Sequence, residues 1–296
     1  MTQISGIIKN NRLISYADWE NYINSLKTSR LIKNRKEAID LVNSSLFSAM
    51  KKRTSKLKKF GILFSGGIDS SLIALIAKNQ NCDFICYSVG LENSKDLTSA
   101  EEVAVNLGLK LKTKVISLKE AEGTIKKVVK ILRENANVVN VGVASVVFSA
   151  AENAKNDKIN ILFSGLGSEE IFAGYQRHKA AKDINEECWN GLKTMWGRDF
   201  KRDYLIAKAL KIKMLTPFLD EEVIKSAMQI PGEWKIKGDV VKYVLREAAV
   251  EIGLLKEFAF RKKLAAQYGS NFDKAIEKLA RKNGFKYKKD YLDSLS

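Results

Sequence analysis

The run Phe60-Gly61-Ile62-Leu63-Phe64-Ser65-Gly66-Gly67-Ile68-Asp69-Ser70-Ser71 constrains this chain more than any other. Residues 60–64 have the length and apolar content of a buried strand, and residues 72–77 continue as a packed helix. Two glycines and three hydroxyls therefore sit on a strand-to-helix turn. Glycines let backbone N–H groups approach an anion closely, and a helix start adds free N–H donors and a positive dipole end. Ser65, Ser70 and Ser71 add hydroxyl donors. Asp69 is the odd member: a carboxylate repels phosphates unless a Mg²⁺ ion lies between them. No Gly-Lys-Ser/Thr closes the turn, so it is not of the Walker type.

The alternation continues downstream. Strands are expected at 60–64, 83–89, 112–117 and 159–164. Helices are expected at 69–79, 98–107, 119–133 and 143–155, with another starting after Gly167. Beyond Arg177 the pattern is mostly helical, broken at Thr216-Pro217 and Pro231-Gly232. This pattern implies an α/β fold: a doubly wound, mostly parallel sheet with a mainly helical C-terminal part. Ligands of such sheets sit at the carboxyl ends of strands, where the glycine-rich segments 65–67 and 164–167 both fall. Residues 1–50 read as an N-terminal extension, with a β-like start at 4–8, a turn at Asn10-Asn11 and helices over 17–26 and 35–52. Residues 51–296 read as one domain.

Composition narrows the function. The 296 residues are 45% hydrophobic and 29% charged, the balance of a soluble globular chain. No apolar run is long enough to span a membrane and residues 1–12 lack a signal-peptide core, so the cytoplasm is expected. Cys82 and Cys86 would lie on one strand face but about 13 Å apart, too far for one bond or one metal. With Cys188 they read as reduced packing residues. A single histidine and no Cys-x-x-Cys pair argue against zinc hydrolysis and Ser-His-Asp catalysis. The net charge of +17 admits a nucleic-acid partner or a lysine-rich surface around a site for anionic substrates. Lys51-Lys52-Arg53 and the group Lys286, Lys288, Lys289 lack interleaved aromatics for base stacking, which favours the second reading.

A second glycine-rich segment reads Phe163-Ser164-Gly165-Leu166-Gly167-Ser168-Glu169-Glu170-Ile171-Phe172-Ala173-Gly174-Tyr175. It places two glycines at a strand end and paired carboxylates on the next helix start. The first turn resembles the S-G-G-x-D-S pyrophosphate loop of ATP pyrophosphatases. Taken together, the two segments resemble the C-terminal synthetase domain of asparagine synthetases, which β-lactam synthetases share. Ser88-Val89-Gly90, Pro217-Phe218-Leu219-Asp220, Lys242-Tyr243-Val244-Leu245-Arg246 and Arg261-Lys262-Lys263 with Gln267 extend the likeness, in the family's order, over roughly residues 55–270.

The resemblance implies an AMP-forming amide ligase. Mg-ATP adenylates a carboxylate, aspartate first among candidates, pyrophosphate leaves, and ammonia displaces AMP. By the same resemblance Ser65, Gly66, Gly67, Asp69, Ser70 and Ser71 would hold the pyrophosphate. Val89 and Gly90 would lie by the adenine and ribose, and Gly165 by the substrate or nucleotide. Asp69 and Glu169 would hold Mg²⁺. Lys242 would neutralise charge at the α-phosphate and the leaving pyrophosphate. Arg246 and Lys263 read equally as site cations or as structural ones, and His178 reads as a positional residue.

Two departures fall on the substrate side. Leu166 stands where the family's S-G-E-G-S-D-E has its first Glu, and Glu169 stands at the Asp. An apolar Leu166 cannot orient or deprotonate an incoming amine. Lys213-Met214-Leu215 replaces a Glu-x-Arg before Pro217. The first fifty residues are too short for the family's glutaminase domain, and Thr2 rather than a nucleophilic cysteine follows Met1. Nitrogen is therefore expected from free ammonia, a partner glutaminase chain or another amine. Two other readings stay open: the same adenylation applied to a tRNA base, and a non-catalytic ATP-binding subunit working with a glutaminase.

Overall fold

A computed structural model describes residues 7–9, 12–262 and 264–295. Five parallel strands form the central sheet: β1 (Phe60–Leu63), β2 (Phe84–Leu91), β3 (Leu111–Ile116), β4 (Ile161–Phe163) and β5 (Lys213–Leu215), in the order β3-β2-β1-β4-β5. Phe60 pairs with Phe84, and Ile62 lies between Cys86 and Phe163.

The apolar strand runs arise because both faces of the sheet are covered. Side chains sort by parity along each strand. Phe60, Ile62, Phe84, Cys86, Phe163 and Leu215 join one core, packed with Leu72 and Ile76 of the helix Ile68–Asn79 and Val103 of the helix Lys95–Leu107. Ile85, Tyr87, Val89, Leu162 and Met214 join the other. It is closed by Ile125 and Val128 of the helix Leu118–Leu132 and by Val141 and Phe148 of the helix Val138–Asn156. The fold is the expected doubly wound α/β sheet with a mainly helical C-terminal part.

Helix starts follow local capping chemistry. Ser117 and Glu120 make reciprocal hydrogen bonds that open the helix Leu118–Leu132. Asn34 accepts from the N–H groups of Lys36 and Glu37 to open the helix Arg35–Thr54. That helix crosses the boundary expected at residue 50, and its Ala38, Val42, Leu46 and Met50 sit in the first core. Arg53 at its end donates to Asp220 at 2.7 Å, fastening it to the start of the helix Glu221–Met228.

Several details differ from expectation. β5 is not among the expected strands: Lys213-Met214-Leu215 is short, opens on a lysine and has no glycine or proline before it to mark its start. The helix expected near 143–155 begins earlier, where Asn137 caps it. Ile236–Lys237 and Val240–Val241 form an antiparallel pair inside the helical part. Ile8–Lys9 pairs with Arg12–Leu13. Most of the β-like start and the Asn10-Asn11 turn lie outside the described residues. Cys82 precedes β2, so it does not share a strand face with Cys86; all three cysteines are free thiols. Among the described residues no helix is long and apolar enough to cross a membrane.

The chain leaves β1 for β2 and β3 on one side and later adds β4 and β5 on the other. The reversal opens a crevice between the carboxyl ends of β1 and β4.

Candidate active site

Both glycine-rich turns flank this crevice. After β1, Gly66 adopts φ +67°, and a Cβ there would come within 2.3 Å of the Ser99 carbonyl oxygen. Only glycine allows the chain to pass so close at that angle. The turn braces itself: the Gly67 N–H donates to Ser65 Oγ at 3.3 Å, the Ser65 N–H to Ser70 Oγ at 3.3 Å, and the Ser70 hydroxyl to the Gly67 carbonyl at 3.2 Å. Gly67 caps the helix Ile68–Asn79 without a side chain, so the first-turn N–H groups have no intrahelical acceptor. The Ser71 hydroxyl is buried and has no partner among the described residues.

After β4, Gly165 lies against Asp69: a Cβ on it would sit 2.7 Å from Asp69 Cβ. The two turns therefore touch. The helix Ser168–Ile171 then presents Glu169 toward the same point. Lys242 arrives from far along the chain, held at φ +55° as the residue before the helix Tyr243–Glu251. Its ammonium contacts Asp69 Oδ1 and Oδ2 at 2.8 and 2.7 Å, Glu169 Oε1 at 2.5 Å and Ser168 Oγ at 3.0 Å. Gly174 closes the back. A Cβ there would fall 1.8 Å from Glu169 Oε2 and 2.5 Å from Lys242 Cε.

The electrostatics follow from burial. Lys242 is fully buried, which pushes its pKa down, while the Asp69 carboxylate pulls it back up. One ammonium against two carboxylates leaves a formal charge of −1 at the convergence point. Two carboxylate side chains from the starts of two different helices, with further ligands supplied by phosphate and water, would form a donor set that suits Mg²⁺. Asp69 and Glu169 thus fit the ion expected there.

The other expected residues divide. Gly90 packs tightly, since a Cβ would meet Ser94 Oγ at 2.2 Å. The Val89 side chain is buried in the second core, which leaves only its backbone for a nucleotide. Arg246 donates to the carbonyls of Val241, Ala259 and Arg261, tying down the segment after the helix, and lies near enough to feel the charge of Asp69. Lys263 lies outside the described residues. His178 is fully buried; its Nδ1 accepts from the Tyr175 N–H at 3.0 Å, and burial pushes its pKa down to about 4. It positions the chain and carries no charge at neutral pH. Leu166 lines a separate cavity beside β5. Ser168 and Gly174 of the same segment also meet Lys242, a contact that nothing in their local sequence signals.

With the geometry in place, comparison with known proteins is decisive. The asparagine synthase family model matches residues 41–205 and 179–290. The chain belongs to the asparagine synthase family. A Methanocaldococcus jannaschii protein provisionally named glutamine-hydrolysing asparagine synthetase 1 is 34% identical over 340 aligned residues, covering 99% of this chain and 62% of that protein. The glutamine-hydrolysing asparagine synthetase of Gallus gallus is 30% identical over 258 residues, covering 83% of this chain and 45% of the relative. The chain thus spans less than two thirds of the length of these family members. The NH3-dependent NAD synthetase of Campylobacter jejuni is 18% identical with a TM-score of 0.35, covering 46% of this chain and 60% of the other.

Proposed function

We propose that this protein is an AMP-forming amide ligase that adenylates a carboxylate and passes the acyl group to an amine. The observation that carries the proposal is the Lys242 ammonium, which joins Asp69 of the first turn to Glu169 of the second. In this reading the helix start and the serines of the first turn hold the β- and γ-phosphates. A carboxylate oxygen attacks the α-phosphorus, forming a P–O bond as the bond to the departing pyrophosphate breaks. The amine then attacks the acyl carbon, AMP leaves, and a proton is lost. Positioning and charge neutralisation carry such a reaction, and a buried ammonium provides both. Mg²⁺ bound by Asp69 and Glu169 would neutralise phosphate oxygens.

The names of the relatives make aspartate, with ammonia drawn from glutamine, the reference substrate pair. Nitrogen would come as free ammonia or from a partner glutaminase. Free thiols and ATP use suit the cytoplasm. The tRNA reading draws little from the basic cluster near residue 52, where Lys52 pairs with Glu222 at 3.0 Å and Arg53 with Asp220.

The test is AMP and pyrophosphate release from Mg-ATP with aspartate and ammonium, then with each replaced or omitted. The expected result is equimolar AMP and pyrophosphate that require a carboxylate and vanish in Asp69→Asn. Release of ADP and phosphate, or turnover retained in Asp69→Asn, would overturn the assignment.

A further inference from the structure

Glu169 lies on the helix Ser168–Ile171, a single turn opened by Gly167 with no side-chain cap. One turn of helix is not stable by itself, so its orientation is set by whatever grips it. Ile171 and Phe172 are buried in the first core, but apolar packing is non-directional. A directional grip falls on Glu170. Its side chain is only 1% exposed, and its Oε1 accepts from the Tyr175 hydroxyl at 3.0 Å and from Arg198 Nη2 at 2.5 Å. Consecutive helix residues point about 100° apart, so a fixed Glu170 fixes the direction in which Glu169 leaves the same turn.

Arg198 Nη2 also donates to the Tyr175 hydroxyl at 3.3 Å. The three side chains therefore close a ring that straps residue 170 to residue 175. Within that strap lies Gly174, whose N–H donates to the Glu169 carbonyl at 2.8 Å and whose Cα packs against Glu169 and Lys242. Arg198 is itself aimed. It sits on the π-helical turn Trp196–Phe200, directly after the helix Ile184–Met195. Its Nε donates to Asp199 at 2.7 Å, and buried Arg202 holds the other oxygen of Asp199 at 3.1 Å. Such π turns are rare and concentrate at functional sites.

We propose that Arg198 is a positioning residue for the cation site: acting through Glu170 and Tyr175, it fixes the aim of the Glu169 carboxylate. This rests on the reading of Asp69 and Glu169 as the Mg²⁺ site of an adenylating ligase, and it deepens that reading. Charge and position make opposite demands here. A guanidinium near a cation site repels the ion, so its loss would tighten binding if charge alone mattered. Loss of its positioning weakens binding about tenfold or more, the usual effect of removing a group that orients a metal ligand.

The test is binding of Mn²⁺, which takes the same oxygen ligands as Mg²⁺, to the full chain, with bound and free ion separated by electron paramagnetic resonance. Asp69→Asn defines the share of binding that belongs to the site. Arg198→Met should weaken that share about tenfold. Arg198→Lys, which keeps the charge and loses the planar fork, should fall between Arg198→Met and the wild type. Tyr175→Phe, nearly isosteric and neutral, should weaken it about two- to fivefold, and it carries the test if Arg198→Met does not fold. Leu279→Ala, in the second core on the helix Phe272–Lys282, should lower the melting temperature and leave Mn²⁺ affinity unchanged. Affinity unchanged or tighter in Arg198→Met and Tyr175→Phe, or an equal loss in Leu279→Ala, overturns the proposal alone. Binding indifferent to Asp69→Asn overturns the cation-site reading and the proposal with it. Weakened Mn²⁺ binding in Arg198→Met, in a protein that releases no pyrophosphate from Mg-ATP, upholds the role of Arg198 and overturns the ligase reading instead.

Discussion

Replacing Lys242 by Met keeps the length of the side chain and removes the charge that joins the two turns. The Asp69 and Glu169 side chains are only 16% and 11% exposed, so solvent screens them weakly once their shared ammonium is gone. Removing one partner from a buried ion pair costs about 3–5 kcal/mol, because the remaining charge stays buried. In a chain of this size that lowers the melting temperature by roughly 10 °C. The formal charge at the convergence point goes from −1 to −2, so a divalent cation should bind the variant more tightly. Ligand binding to the folded state alone stabilises it. Added Mg²⁺ should therefore recover at least half of the lost melting temperature in Lys242→Met and change the wild type little. Pyrophosphate release should fall about 10²- to 10³-fold, the usual effect of losing one preorganised charge partner, while ATP-analogue binding changes only a few-fold. Differential scanning fluorimetry across a Mg²⁺ titration, with a pyrophosphate assay, decides the matter. Equal responses of the two proteins to Mg²⁺ would refute the claim that Asp69 and Glu169 form a cation site.

Other perturbations test separate parts of the argument. Gly66→Ala forces a Cβ to within 2.3 Å of the Ser99 carbonyl at φ +67°; it should cost roughly 1–3 kcal/mol and abolish pyrophosphate release, and near-wild-type release would show that the turn tolerates a shift. Gly174→Ala drives a methyl into Glu169 and Lys242; it should lose adenylation while circular dichroism reports an intact sheet, and full activity would remove Gly174 from the site. Lys235 is fully buried beside the sulfurs of Cys188 and Met228, at 3.9 and 3.7 Å, and burial lowers its pKa. The unfolded state then binds more protons between that lowered value and the unfolded value near 10.4, so this group makes stability rise with pH through that window. Lys235→Met should stabilise the protein, more at pH 7 than at pH 10, as read by urea unfolding; equal gains at both would show the amine is not the cause.

How much of this was legible in the sequence depends on the range of the interactions involved. The first turn declared itself because its chemistry is local: strand, two glycines, hydroxyls and helix follow one another within twelve residues. The parallel strands of the interior were equally readable, since burial on both faces makes each an unbroken apolar run. β5 was not, because Lys213-Met214-Leu215 is short, opens on a lysine and follows a helix with no glycine or proline to mark its start. Arg246 stayed open between a site cation and a structural one, because its bonds to the Val241, Ala259 and Arg261 carbonyls are backbone contacts that no spacing in the sequence encodes.

The same distinction runs through the candidate site. The first turn is local in sequence, but the second turn, with Gly165, Ser168 and Glu169, and Lys242 are brought to it by the fold. The acceptor side is built by the sheet. The Ser164 N–H donates to the Leu215 carbonyl at 2.9 Å, and this ladder bond brings the residue after β5, Thr216, beside Leu166, fifty positions earlier in the chain. Read alone, Leu166 is a lost carboxylate and Thr216 a residue before a proline. Placed together they are an apolar wall and an unsatisfied hydroxyl on one cavity. What the fold adds to the sequence here is this juxtaposition, which no local pattern could carry.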